Sequence, residues 1–136
     1  MENKTFVIAE KPSVGISIAK VLGASKRREC YMEGNGYLVS WCIGYLADFA
    51  PADAYDPRYS KWACEDLPII PEVWKYRIFP DTKAQFEILR ALINDKSVTS
   101  IVCATDAGRE GELIFRRVCL LCGCKKPVKR LWISSM

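Results

Sequence analysis

Residues 5–23, TFVIAEKPSVGISIAKVLG, constrain the fold more than any other stretch of the chain. TFVIA is β-branched, aromatic and apolar, the composition of a strand buried on both faces. Pro12 follows three residues later. It has no amide donor and fixes φ at about −65°, so it suits the first turn of a helix and not the inside of a strand. Val14, Ile18, Val21 and Leu22 then recur at helical spacing, and Gly23 suits the stop. A buried strand feeding straight into a helix predicts a parallel sheet with helices on its faces.

The rest of the chain extends that pattern. SIVCA (100–104) reads as a second buried strand, and TDAGRE leads from it into a helix around Leu113–Leu121. RLWIS (130–134) reads as a last strand. Residues 83–94 predict a helix with Phe86, Leu89 and Ile93 on one face, and residues 30–43 a hairpin turning at Asn35-Gly36. Between these lie residues 44–81, where Pro51, Pro57, Pro68, Pro71 and Pro80 break any long element. The many aromatics there predict an ordered excursion packed on the domain. The expectation is one α/β domain over residues 1–136, with a mainly parallel four-stranded, Rossmann-like sheet, helices on both faces and an irregular excursion.

With 136 residues, half of them hydrophobic, the chain can bury one core. The net charge of +4 is compatible with a polyanionic partner. The clusters Lys26–Arg28 and Lys125, Lys126, Lys129 and Arg130 read, taken alone, as solvated loops. No apolar run reaches membrane-spanning length and MENKTFVIAEK is not a secretory signal, so a cytoplasmic protein without a membrane partner is expected. Seven cysteines, an odd count, fit reduced thiols. Cys119, Cys122 and Cys124 form a single C-x-x-C-x-C knuckle in a chain with no histidine. The expectation is small apolar residues ending a helix, not a zinc site.

In parallel sheets functional groups gather at the carboxyl ends of the strands. Glu10 and Lys11 follow the first strand, and Asp106, Arg109, Glu110 and Glu112 follow the strand at 100–104. Adjacent parallel strands would bring these two turns together. Carboxylates so close repel unless a cation or proton sits among them. Oxygen donors alone describe a hard cation, Mg²⁺ with Mn²⁺ as substitute. Gly108 and Gly111 permit a tight turn, and Arg109 offsets charge or meets a phosphate. The helix dipole by itself favours one or two acids at a helix start, and Lys11 beside Glu10 also suits an exposed pair. A receiver-like or phosphoryl-transfer domain stays open on these grounds.

Four segments, IAEKPSVGISIAKVLG, GYLVSWCIGYLADFAPADAYDPRYSKWACEDLPIIPEVWKY, ATDAGREGELIFR and KRLWISSM, occur in that order. Together they resemble the N-terminal TOPRIM domain of type IA DNA topoisomerases, in the bacterial topoisomerase III-like branch. The resemblance implies an enzyme that cleaves one DNA strand with a tyrosine, passes another strand and reseals, without ATP. It implies a Mg²⁺ site from Asp106 and Glu110, the first and last acids of a D-x-D-x-E motif. It gives Glu10 a role in proton transfer or metal binding, and Lys11 a role in stabilising charge on the scissile phosphate. Trp62, with Arg109 and Lys11, becomes a DNA contact; the implied partners are single-stranded DNA and the remaining domains of the same enzyme.

Two departures stand out. Gly108 replaces the middle acid, so Glu112 or Glu10 is expected to complete the metal site. Tyr45 stands where many relatives carry histidine. The cleaving tyrosine of such enzymes lies in another domain, so the 136-residue chain alone is expected not to relax supercoils. Two alternatives remain open here: a stand-alone nucleic-acid-binding module with a degenerate metal site, and another TOPRIM enzyme of primase or nuclease type.

Overall fold

The computed structural model describes residues 3–132. Strand β1 (Lys4–Ala9) runs into helix α1 (Pro12–Leu22) through Glu10 and Lys11. Lys11 is extended (φ −133°, ψ 153°), as a residue before proline prefers, and Gly23 closes the helix at φ 79°. Next come β2 (Lys26–Arg28), β3 (Tyr31–Gly34) and β4 (Tyr37–Trp41). Asn35 and Gly36 both have positive φ, 52° and 81°, as the tight two-residue turn between β3 and β4 requires. A ribbon of β5 (Ala47–Phe49) and β6 (Tyr76–Ile78) forms the stem of the excursion. Helix α2 (Lys83–Ile93), β7 (Val98–Ala104), α3 (Arg109–Cys122) and β8 (Val128–Arg130) complete the order.

The main sheet has six strands, ordered β2-β3-β4-β1-β7-β8. The four strands β4-β1-β7-β8 are parallel, and β3 and β2 extend the sheet antiparallel. The sheet is therefore mostly parallel, and wider by two strands than the four expected. The basic run Lys26–Arg28 is not a loop: it is the edge strand β2, where charged side chains discourage further pairing. The last strand covers 128–130, earlier than RLWIS suggested, because its ladder opens with the Ile101 N–H donating to the Pro127 carbonyl. Residues 133–134 of that expected strand lie outside the described residues. Helix α3 begins at Arg109, four residues before the expected apolar stretch, since its first turn is polar.

Alternation along the central strands divides the core. Phe6, Ile8, Ile101 and Cys103 pack with Phe86 and Leu89 of α2 and Ile114 and Phe115 of α3. Val7, Val39 and Ala104 pack on the other face with Ala19 of α1. Helices thus cover both faces. Gly15 is the close approach of α1: a Cβ there would lie 2.7 Å from the Trp41 ring.

Candidate metal and phosphate site

The parallel register sets Ala9 opposite Ala104, so the turns after β1 and β7 emerge side by side. The amide N–H of Asp106 donates to the Glu10 carboxylate at 3.2 Å. Partial burial pushes the Glu10 carboxyl above its usual 4.5; the Asp106 amide opposes this and the Asp106 carboxylate beside it adds to the rise. Two carboxylates are therefore held together at the carboxyl edge of the sheet.

The second turn owes its shape to Gly111. A Cβ on Gly111 would fall 2.1 Å from the Asp106 carbonyl oxygen, so the turn folds back on the first coil of α3 where only glycine fits. Gly108 differs. It is extended (φ −145°, ψ 177°), caps α3 without a side-chain hydrogen bond, and a Cβ there meets nothing within 4 Å. The backbone does not require glycine at 108.

Glu110 and Arg109 are exposed in the first turn of α3, and Lys11 is exposed at the start of α1. Glu112 has different company from the cation expected for it. Its Oε1 accepts from Arg116 at 2.8 Å and its Oε2 from Arg130 of β8 at 2.5 Å. The two guanidiniums, Arg130 first, hold its carboxyl below the usual range. Arg130 also donates to the carbonyl and hydroxyl of Thr105, on the turn itself. Glu112 and Arg130 thus tie the turn to β8. In the sequence Arg130 belongs to a basic cluster and opens the apolar run RLWIS; an arginine at the head of a predicted strand is the one signal of this role.

The other expected residues sit apart. Trp62 is 92% exposed on the excursion, with no hydrogen bond or ring contact to the acidic turns among the described residues. Tyr45 lies under the Arg117 guanidinium, 5.6 Å from the ring centroid, and Phe49 shares that cation at 5.0 Å. Arg117 belongs to α3 and also pairs with Asp48 at 3.3 Å, so this cluster joins the stem of the excursion to α3. Burial pushes the thiols of Cys119 and Cys122 to about 12, which keeps them protonated.

Among the described residues no group of three or more acidic, thiol or imidazole side chains converges to hold a metal ion. The pair Glu10–Asp106 still fits a hard divalent cation, because Mg²⁺ is commonly held by one or two carboxylates and completes its shell with water and phosphate. No helix among the described residues is long and apolar enough to cross a membrane.

The comparison with known proteins agrees with this layout. The Toprim domain family matches residues 5–136. The chain is 48% identical over 133 residues to a DNA topoisomerase 3 of Staphylococcus epidermidis, covering 98% of the chain and 19% of that protein. It is 46% identical over 134 residues to a DNA topoisomerase 3 of Bacillus subtilis, covering 98% of the chain and 18% of that protein. The chain spans about a fifth of the length of the curated relatives it matches.

Proposed function

This chain belongs to the Toprim domain family, and on that premise we propose that it is the divalent-metal part of a type IA DNA topoisomerase. The observation that carries the reading is the contact between Glu10 and Asp106 across two adjacent strand ends. Glu10, Asp106 and Glu110 are the residues that would hold Mg²⁺, with Mn²⁺ as substitute. When bound, the cation offsets negative charge on a DNA phosphate and helps to orient it. Lys11 places an ammonium beside the Glu10 turn, where charge builds on phosphate oxygens during strand cleavage. Arg109 presents a guanidinium suited to a phosphate of the same strand. Glu10 is suited to hold or pass a proton there, since its carboxyl is pushed toward the protonated form. Glu112 acts through Arg130 and Arg116 to keep the turn in place. Trp62, solvent-facing on the excursion, offers a face for a base of single-stranded DNA. The unit is a single domain over residues 1–136, and the remaining domains of the enzyme are its natural partners.

A second reading has one observation behind it. The lack of a three-donor cluster among the described residues favours a nucleic-acid-binding module with a degenerate metal site. Amide NMR with added Mn²⁺ separates the two. The metal reading expects selective broadening at Glu10 and residues 106–112. Diffuse broadening, or none at those turns, overturns it.

A further inference from the structure

The carboxyl edge of the sheet carries one large apolar side chain that the site so far leaves unused. Strand β8 runs parallel to β7 with Arg130 opposite Cys103, and the Leu131 amide donates to the Cys103 carbonyl as the last rung of that ladder. Trp132 follows directly. Carried one step beyond the Ala9–Ala104 pair and two steps beyond the Cys103–Arg130 pair, the parallel registers set Glu10, Thr105 and Trp132 in a single row just past the end of three parallel strands. Neighbouring strands lie about 4.8 Å apart, which puts the Trp132 backbone roughly 10 Å from that of Glu10.

The Trp132 side chain is 69% exposed, whereas Trp41, at the same end of the sheet, is 8% exposed. No ring stacking or cation contact engages Trp132 among the described residues. Its backbone is nevertheless fixed on the near side, because Arg130 is anchored to Thr105 and Glu112 and Leu131 is paired. A solvent-facing indole that directly follows a paired and anchored strand end gives up less freedom on binding than one on a free tail. Exposed cations, Lys11, Arg109 and Lys129, stand on the turns and strand around the same edge. Aromatic faces beside cations that track a backbone are how single strands are held without reading sequence.

We propose that Trp132 is a stacking platform for a nucleobase of the single strand whose phosphate meets the Glu10 and Asp106 turns. This rests on the DNA reading proposed above. A paired duplex hides the base faces that an indole would need, so the ligand is single-stranded.

The test is the affinity of the chain for a fluorescein-labelled oligothymidylate of about 12 nucleotides, and for an abasic strand of the same length. Trp132→Ala weakens oligothymidylate binding by at least about fivefold and leaves the abasic strand unaffected, while Trp132→Phe keeps most of the affinity. The melting temperature stays unchanged, as the side chain is exposed. Oligothymidylate affinity within about twofold of the parent in Trp132→Ala, or an equal loss for both strands, overturns the proposal. A parent chain that shows Mn²⁺ broadening at Glu10 and Asp106 but binds no oligothymidylate also overturns it, and leaves the metal reading standing. Absent broadening, with Trp132-dependent binding intact, removes the metal reading alone.

Discussion

Asp106 donates its amide N–H to the Glu10 carboxylate at 3.2 Å, joining two turns that are 96 residues apart in the chain. The contact follows from register: β1 and β7 are parallel neighbours, and Ala9 faces Ala104. It also gathers like charge. Partial burial first, and then the Asp106 carboxylate, favour a protonated Glu10, so without a cation the site is held together against its own repulsion.

The first prediction concerns Glu10→Gln. The amide oxygen keeps an acceptor for the Asp106 N–H and removes the charge. A carboxyl whose folded pKa is raised contributes stability at low pH and loses it as pH rises through that pKa. In chelator at pH 7 the variant is therefore expected to melt no lower than the parent. Any advantage disappears below about pH 4.5, where Glu10 protonates in both states. The same variant loses selective Mn²⁺ broadening at Asp106. Thermal melts at both pH values, alongside the NMR titration, check the two halves separately.

The two glycines of the acidic turn should separate sharply. Gly111→Ala forces a methyl group to 2.1 Å from the Asp106 carbonyl oxygen and 2.9 Å from its nitrogen, and these are backbone atoms that cannot swing aside. A loss of about 3 kcal/mol is expected, with the Asp106 amide shifted in NMR spectra. Gly108→Ala meets open space at an ordinary φ, so a loss of no more than about 1 kcal/mol is expected. Urea denaturation of both variants decides; equal losses would refute the steric account.

Much of this arrangement was legible in the residues. TFVIA, Pro12 and Gly23 specify strand, helix start and helix stop by local chemistry, and each stands in the structure where that chemistry places it. The meeting of Glu10 with Asp106 was legible as well, because strand ends in a parallel sheet share one edge. Long-range partners were not. Gln85, within the helix over 83–94, is buried and donates to the Trp41 carbonyl at 2.6 Å and to Ser40 Oγ at 3.1 Å, contacts that no local pattern announces. Glu112 reads as a metal ligand by proximity to Asp106, and only the placement of β8 shows the arginine that takes its charge. Strand β2 is not legible in KRR, which has neither apolar alternation nor β-branching; its pairing with Tyr31–Glu33 creates it.

Glu33 of β3 should carry a share of the acid sensitivity, beside Glu112 and Asp95, whose carboxyls are also held low. Glu33 accepts from Lys4 at 3.0 Å and from Arg28 at 3.1 Å, and these cations, Lys4 first, hold its carboxyl below 4.5. A depressed carboxylate contributes stability above its unfolded pKa and loses it as pH falls through the folded value. The parent is thus expected to lose melting temperature as pH drops from about 4.5 downward, and Glu33→Gln to start lower and fall less steeply. Melts from pH 6 to pH 3 test this; parallel curves for parent and variant would show that Glu33 carries none of the acid limb.

The last prediction concerns the clamp between β8 and the acidic turn. Arg130 reaches the Thr105 carbonyl, the Thr105 hydroxyl at 3.2 Å and the Glu112 carboxylate at 2.5 Å. Arg130→Gln leaves Glu112 with Arg116 alone, and deprives the Thr105 carbonyl of a charged donor. Hydrogen bonds to charged groups that are partly shielded from water are worth about 1.5–3 kcal/mol, and a loss in that range is expected. Glu112→Gln removes one of the same contacts, so the two losses should overlap. A double-mutant cycle should return a coupling of about 1 kcal/mol, whereas independent sites add. If Glu112 instead held the cation, Glu112→Gln would weaken Mn²⁺ binding and leave the coupling near zero. If it anchors the turn, both single variants weaken Mn²⁺ binding modestly and together, because each loosens the segment that carries Asp106.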